Sequence, residues 1–420
     1  MKLKLRTDRT LIRAAARSTR YVAVSLTAPE APRRASRIPV NVALVLDRSG
    51  SMEGEKFCLA RQAVQQSLRM LQSTDRFALV VYDSEVDVLV ESTLATHDAK
   101  ARALDMLGLI HPRGSTDLAG GWFRGCEQVA EHATEGSVNR CLLLTDGLAN
   151  QGITNRDELA RHAGALRERG VQTSTFGVGA DFDERLLRDM AVAAAGHFYF
   201  IESPIQIPDL LTSELGEALE VVIRGAALEV TLPRGAVAAP LHRFRHRRIE
   251  GDNELRVELG DVVSGQQMSV VITIELPTGV EGESVTAGFA LTDQNSTTLS
   301  PAAELRWKWA GHAENDAQPR DLEVDRQVAA LYAARAREEA TEYNRAGEYD
   351  RARRAIVGTA KRIRSYAGND GELNRMADQL LREQEMFAER PLLPMELKQQ
   401  AFMAYAAVNE RDMSGKARRH

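Results

Sequence analysis

Cysteine is scarce in this chain: Cys58, Cys126 and Cys141 are the only three among 420 residues. Their odd number and spacing exclude a disulfide framework and a thiolate zinc site, and they are expected to be small buried side chains of one domain. Long hydrophobic runs are missing as well. No stretch approaches the roughly 18 uninterrupted apolar residues of a membrane helix, and the basic amino terminus is not followed by the apolar segment of a secretory signal. A soluble, cytoplasmic protein is the expectation. Neither sign of charge dominates, with 54 Lys plus Arg against 59 Asp plus Glu, so no global field draws in nucleic acid or an anionic membrane. A nucleotide loop is lacking too. Gly177-Val178-Gly179 follows a strand pattern without the third glycine and downstream acid of a dinucleotide fingerprint.

The length suits two or three compact units. Residues 1–37 hold two strand patterns, the second placing Val22, Val24 and Leu26 on one face, and end in a polar, Pro-bearing connector. Residues 38–220 alternate strand and helix. Continuous apolar runs at 40–46 and 140–144 read as strands covered on both faces, while Phe57, Ala60, Val64, Leu68 and Leu71 recur at helical steps. Residues 77–82 and 86–90 form a strand pair around Asp83-Ser84-Glu85, and Thr154 with Asp157 is spaced as a capping box. Repeated crossovers of this kind predict a largely parallel sheet with helices on both faces.

Over residues 221–310 the period changes to two, as in Leu228, Val230, Leu232 and in Val270, Ile272, Ile274. Turns such as Pro233-Arg234-Gly235 and Gly251-Asp252-Asn253 separate the runs, which predicts an antiparallel β-sandwich. The strands of residues 1–37 are expected to join it, making the α/β unit an insertion. After a polar linker at 311–320, residues 321–412 carry helical stripes (Tyr349, Ala352, Ile356, Ala360, Ile363; then Leu373, Met376, Leu380, Phe387). Breaks at Ala346-Gly347-Glu348 and Gly368-Asn369-Asp370-Gly371 suggest antiparallel helical hairpins. Residues 413–420 are expected to be a disordered tail.

The chemistry concentrates at Leu44-Val45-Leu46-Asp47-Arg48-Ser49-Gly50-Ser51-Met52, where an apolar run ends at a carboxylate and two hydroxyls follow at alternate positions. Thr116, in a Gly-bearing loop before a helix, and Asp146, at the end of the second buried strand, supply further oxygens. In open parallel sheets ligands bind beyond the carboxyl ends of the strands at a topological switch point. Two carboxylates and three hydroxyls there suit Mg2+ or Mn2+ better than Zn2+, which favours His and Cys. The competing view of Asp47, Ser49 and Ser51 is a helix cap in a turn. Asp117 reads as the cap of the helix at Leu118 rather than a ligand, Asp83 and Glu85 as turn residues with a role on the metal rim as the alternative, and the basic run His242-Arg243-Phe244-Arg245-His246-Arg247-Arg248 as a solvated strand face rather than a patch for an acidic partner or nucleic acid.

These five positions resemble the metal-ion-dependent adhesion site of von Willebrand factor type A domains: the D-x-S-x-S is Asp47, Ser49 and Ser51, the distant threonine Thr116, and the second aspartate Asp146. For residues 38–220 the resemblance implies a Rossmann-like sheet with one short antiparallel edge strand, within residues 77–90. It also implies a bound Mg2+, with Mn2+ or Ca2+ as alternatives, that takes an Asp or Glu carboxylate from a protein partner. The flanking strands, sandwich and helices are similar in arrangement to bacterial von Willebrand-type proteins and to the heavy chains of inter-alpha-trypsin inhibitor. The expected function is a non-enzymatic, metal-dependent protein-binding module, with the C-terminal helices carrying a second contact or self-association. The alternative is an Mg2+-dependent phosphohydrolase using Asp47. Haloacid-dehalogenase-like enzymes need a second acid two residues after the nucleophile, where this chain has Ser49, and the motif itself places no lysine or base against a transferred phosphate.

Overall fold

The computed structural model describes residues 1–30, 37–249, 253–388, 390–412 and 414–419. Three strands come first: β1 (Lys2–Thr7), β2 (Leu11–Arg13) and β3 (Ser18–Thr27). The α/β unit follows as β4 (Val40–Asp47), α1 (Glu55–Met70), β5 (Arg76–Tyr82), β6 (Val86–Leu94), α2 (His97–Gly108), α3 (Leu118–Ala130) and β7 (Val138–Thr145). It continues through α4 (Arg156–Glu168), β8 (Gln172–Val178), α5 (Glu184–Ala193), β9 (Phe198–Ile201) and α6 (Ile207–Leu219). The sheet order is β6-β5-β4-β7-β8-β9. Every neighbouring pair is parallel except β5 with β6, the antiparallel edge expected within residues 77–90.

Every residue of β4 and of β7 is buried, because helices cover both faces of the sheet. Alternate side chains of β4 serve two different cores. Val42, Leu44 and Leu46 pack with Phe57, Val64 and Leu68 of α1, while Ala43 and Val45 pack with Trp122 and Cys126 of α3. The small residues on the second face let α3 lie close: a Cβ at Gly125 would stand 2.2 Å from Val45 Cγ2. Cys126 and Cys141 are buried as expected, but Cys58 is exposed. It sits on the outward face of α1, between Phe57 and Leu59, which take the inward positions.

The second region contains β10 (Val221–Thr231), β11 (Val237–Pro240), β12 (His246–Ile249), β13 (Glu254–Val263), β14 (Gln267–Leu276), β15 (Ser284–Thr292) and β16 (Ala303–Ala310). They form two sheets, β1-β3-β14-β11 and β12-β13-β10-β15-β16-β2. The N-terminal strands do complete the sandwich: β3 pairs with β14 over ten residues, from Ser18 with Leu276 to Thr27 with Gln267. One pair departs from the antiparallel expectation, since β2 runs parallel to β16 at the sheet edge. Val24, Leu228, Ile272, Phe289 and Trp307 meet in one core between the two sheets. The basic run behaves in two ways. His246, Arg247 and Arg248 lie exposed on the edge strand β12, as expected, whereas His242 is buried beside Glu410, at 3.2 Å.

The chain ends in helices α7 (His312–Ala317), α8 (Leu322–Arg345), α9 (Tyr349–Ala367), α10 (Gly371–Ala388) and α11 (Pro394–Val408). The short α7 lies within the stretch expected to be a plain linker. Alanines of α8 (Ala329, Ala333, Ala336, Ala340) face Ile356 and Ile363 of α9 and Leu373 and Leu380 of α10, which lets the helices approach closely. The other face of α8, with Val324, Val328 and Leu331, packs on Ala23 and Val271 of the sandwich. Helix α11 packs along α8, with Leu397 against the helical core, and its Phe402 and Tyr405 enter the α/β core beside Phe198. Among the described residues no helix is long and apolar enough to cross a membrane.

Four local expectations need correction or lie outside the described residues. The cap of α4 is Asn155, whose side chain accepts from Glu158 N, rather than Thr154. Residues 414–419, expected as a loose tail, are docked: Ala417 N donates to Glu217 Oε1 at 2.8 Å and Gln267 N donates to Arg418 O at 2.9 Å. The connector at residues 31–36 and the turn at 251–252 fall outside the described residues. Because Ile272 is fully buried at the centre of the sandwich core, Ile272→Ala is expected to lower stability by about 2–5 kcal/mol, read as an earlier urea midpoint with an unchanged slope.

Candidate metal centre

From β4 the chain turns first to β5 on one side and only later reaches β7 on the other, so the crevice between β4 and β7 is the switch point of the sheet. Asp47 is the last residue of β4, and Asp146 follows the last residue of β7. The register pairs Leu46 with Leu144, which sets Thr145 beside Asp47. The Thr145 hydroxyl donates to Asp47 Oδ2 at 2.6 Å, and Ser49 N donates to Oδ1 at 2.7 Å. The two hydroxyls of the loop, Ser49 and Ser51, stand 3.1 Å apart, and Ser51 Oγ donates to Asp146 Oδ1 at 2.6 Å.

Thr116 joins them from the loop before α3. A Cβ built on Gly147 would lie 3.6 Å from Thr116 Oγ1 and 3.7 Å from Ser51 Oγ, so both hydroxyls border the same point. The Asp146 loop also holds the Thr116 loop by its backbone. Thr116 N donates to Asn150 Oδ1 at 2.9 Å, and Asn150 N donates to Thr116 O at 3.2 Å. All five residues proposed from the sequence therefore gather at one sheet edge. Asp117 is the cap of α3, accepting from Gly120 N at 2.9 Å.

Asp83, read from the sequence as a turn residue, turns out to bind the loops to one another. Its buried carboxylate accepts from Arg48 Nε and from Arg113 Nε, each at 2.9 Å, and from Glu85 N at 2.7 Å. Its carbonyl accepts from Asp117 N at 2.7 Å, and Arg113 N donates to Arg48 O at 2.8 Å. The two guanidinium groups and the backbone N–H of Glu85 hold the Asp83 carboxyl below the usual carboxylate range against the effect of burial. With those partners the carboxylate belongs to the scaffold of the loops. Gly114 takes φ +68° there, and a Cβ on it would meet Ser84 Oγ at 2.6 Å, so glycine is required at the turn.

Asp47 and Asp146 are both fully buried. Burial pushes the Asp47 carboxyl up to about 6, with bonds from Ser49 and Thr145 pulling the other way and the neighbouring Asp146 adding to the rise. Such a pair of acids favours a cation. One is already present in the chain: the Lys56 ammonium pairs with Asp146 Oδ2 and donates to Ser51 O at 3.2 Å. A lysine at the second residue of α1 works against the helix dipole, so its attraction to Asp146 decides where it lies. The donor set is all oxygen, hard and half neutral, which fits Mg2+, Mn2+ or Ca2+. Sequence reading missed Lys56, Thr145 and the Arg48–Asp83–Arg113 group. Only Lys56 left a signal, as a cation in the unfavourable first turn of a helix.

The fold and the loop set define an α/β domain of the von Willebrand type, and similarity to known proteins agrees. Residues 41–213 match the sequence model of the von Willebrand factor type A domain, and the chain carries such a domain. The uncharacterized protein YfbK of Escherichia coli (strain K12) is 26% identical over 250 residues, covering 58% of this chain and 43% of that protein. Inter-alpha-trypsin inhibitor heavy chain H1 of Sus scrofa is 28% identical over 54% of this chain and 26% of its own length. The chain thus spans less than half of either relative. A solved von Willebrand factor type A structure from Catenulispora acidiphila superposes with a TM-score of 0.73 at 18% identity, covering 99% of this chain and 97% of that one; it shares the fold from the first strands to the last helix.

Replacing Thr145 by Val removes the donor to Asp47 Oδ2 while keeping the side chain's shape. Thr145→Val is expected to cost about 1–3 kcal/mol, the penalty for a buried acceptor left unpaired, measured by chemical denaturation in EDTA.

Proposed function

We propose that this chain is a divalent-metal-dependent protein-binding module. Asp47, Ser49, Ser51, Thr116 and Asp146 would hold the ion, with Mg2+ favoured over Mn2+ and Ca2+, and an Asp or Glu side chain of a partner protein would complete its coordination. The reading is carried by the convergence of two buried carboxylates and three hydroxyls at the switch point of a von Willebrand type A sheet. With two formal charges from the protein, a bound divalent ion keeps affinity for a further carboxylate. The rim suits a protein ligand: Leu148 is 56% exposed next to Gly147, so an apolar contact adjoins the acidic anchor. In this proposal the chain works in the cytoplasm, on a protein rather than on nucleic acid or a membrane.

The phosphohydrolase alternative gains one observation, since Lys56 supplies a cation beside Asp146 that the motif alone does not place. Asp47 nevertheless makes a poor nucleophile. Both of its oxygens already accept hydrogen bonds, and its side chain has no access to solvent. Binding without turnover is the better account.

Isothermal titration of Mg2+ into the wild type should give saturable heat that Asp47→Ala abolishes; equal heats in both proteins would overturn the site. Lys56→Gln should tighten Mg2+ binding on the order of tenfold by removing a competing cation, and unchanged affinity would show that Lys56 does not compete. Pull-down with and without EDTA tests the partner: a protein retained only with metal, and only by wild type, is the expected carboxylate donor.

A further inference from the structure

At the opposite end of β7 from Asp146 lies a second polar assembly that the metal proposal leaves unused. Arg140, near the start of the strand, is 4% exposed. It sits where the parallel sheet, β13 of the sandwich and the C-terminal segment meet. Its Nη2 donates to Asp261 Oδ2 at 3.2 Å, an oxygen that also accepts from Gln172 Nε2 at 3.1 Å. Its Nε and Nη1 are buried and have no hydrogen-bond partner among the described residues. A guanidinium has donors only, so these N–H groups call for an acceptor from outside the chain.

Arg140 lines a cavity of about 90 Å³. At roughly 10–15 Å³ per water on the same measure, that is room for several waters or for one tetrahedral oxyanion. The basic run singled out in the sequence forms part of its wall through Arg243 and Arg245.

The carboxylates around the cavity already have partners. Glu214 accepts from Ser174 Oγ and Tyr199 OH, both at 2.6 Å, and lies 2.9 Å from His197 Nδ1. Glu217 accepts from Arg411 Nη2 and Ala417 N, both at 2.8 Å, and Glu258 pairs with Arg167. His197, Glu214 and Glu217 bring ligand atoms within 4.8 Å of one another, which by itself suggests a cation. The positive fields of Arg140 and Arg411 both reach Glu214, however, and would repel a metal ion. The unmet groups of Arg140, which lines the cavity, are donors; Gln172 Oε1, a buried acceptor without a partner among the described residues, belongs to a side chain that does not line it.

We propose that this junction cavity binds a small tetrahedral oxyanion, of which inorganic phosphate is the representative, held by Arg140 with Arg245 at the mouth. Arginine suits this task because its planar, permanently charged group presents several N–H donors to oxyanion oxygens. An ion there would touch the α/β sheet and the sandwich together.

The test is titration of inorganic phosphate into the full chain, in EDTA so that no metal at the other end of β7 can take up the anion, and at ionic strength fixed with chloride. Saturable binding of one phosphate per chain is expected, with sulfate competing and chloride not. Arg140→Gln should weaken it at least tenfold. Should that variant fail to fold, Arg245→Gln carries the same test, because its side chain is half exposed; a loss of affinity of about threefold is expected. Absence of phosphate binding to the wild type, equal binding by the folded variants, or displacement by chloride would each overturn the proposal.

Discussion

Two carboxylates at the ends of neighbouring parallel strands cannot both be charged and buried unless something positive lies beside them, and the carboxyl end of the parallel sheet is arranged around that constraint. The parallel register that makes β4 and β7 neighbours also forces Asp47 and Asp146 together. The hydroxyl and N–H donors around Asp47 offset part of the cost of burying it, and Lys56 meets Asp146. The loops that supply these groups are long and irregular, and they hold their geometry because Asp83 binds two of them through Arg48 and Arg113. A pre-set arrangement of this kind matters for ion binding. Magnesium demands near-ideal octahedral geometry, and loops that had to order on binding would give back much of the affinity gained.

The parts of this arrangement legible in the sequence are those written in local patterns. Residues 40–46 and 140–144 announce buried parallel strands because both faces must be apolar, and the acids that end them stand out against those runs. The period-two runs of the sandwich are equally plain, since one face of each strand meets a core and the other does not. Illegible were the relations between distant residues of ordinary type. An arginine after Asp47 and an aspartate in a hairpin turn look like surface residues until the fold closes Arg48 upon Asp83. The same holds for the parallel pairing of β2, which is three residues long, and for residues 414–419. Their docking rests on backbone bonds to Glu217 and Gln267 and on ion pairs of Lys416, Arg418 and Arg419 with Asp209, Glu410 and Glu220, with little apolar content to betray it.

The C-terminal helices illustrate a related point about amphipathic stripes. A stripe says that a face is covered but not by what. Helix α8 has two covered faces, one against α9 and α10 and one against the sandwich, and helix α11 closes the β9 edge of the parallel sheet. Tyr405 does so with its hydroxyl as well as its ring, accepting from Phe198 N at 3.1 Å. That edge would otherwise present unpaired backbone groups to other chains. The helices thus brace both the sandwich and the α/β unit.

The α/β unit departs from and returns to the sandwich at one place. Pro29, just after β3, and Glu220, just before β10, each accept a backbone hydrogen bond from the short turn between β13 and β14, from Gly265 N at 3.2 Å and Ser264 N at 2.9 Å. The loops of Asp47, Thr116 and Asp146 lie at the carboxyl ends of the strands, the far end of the unit from both crossings. A pull exerted by a ligand on those loops therefore passes down the strands and divides between two anchors set side by side on a single hairpin. Side-by-side anchors share tension where anchors in series would each bear the whole of it, so the joint resists being peeled open one strand at a time.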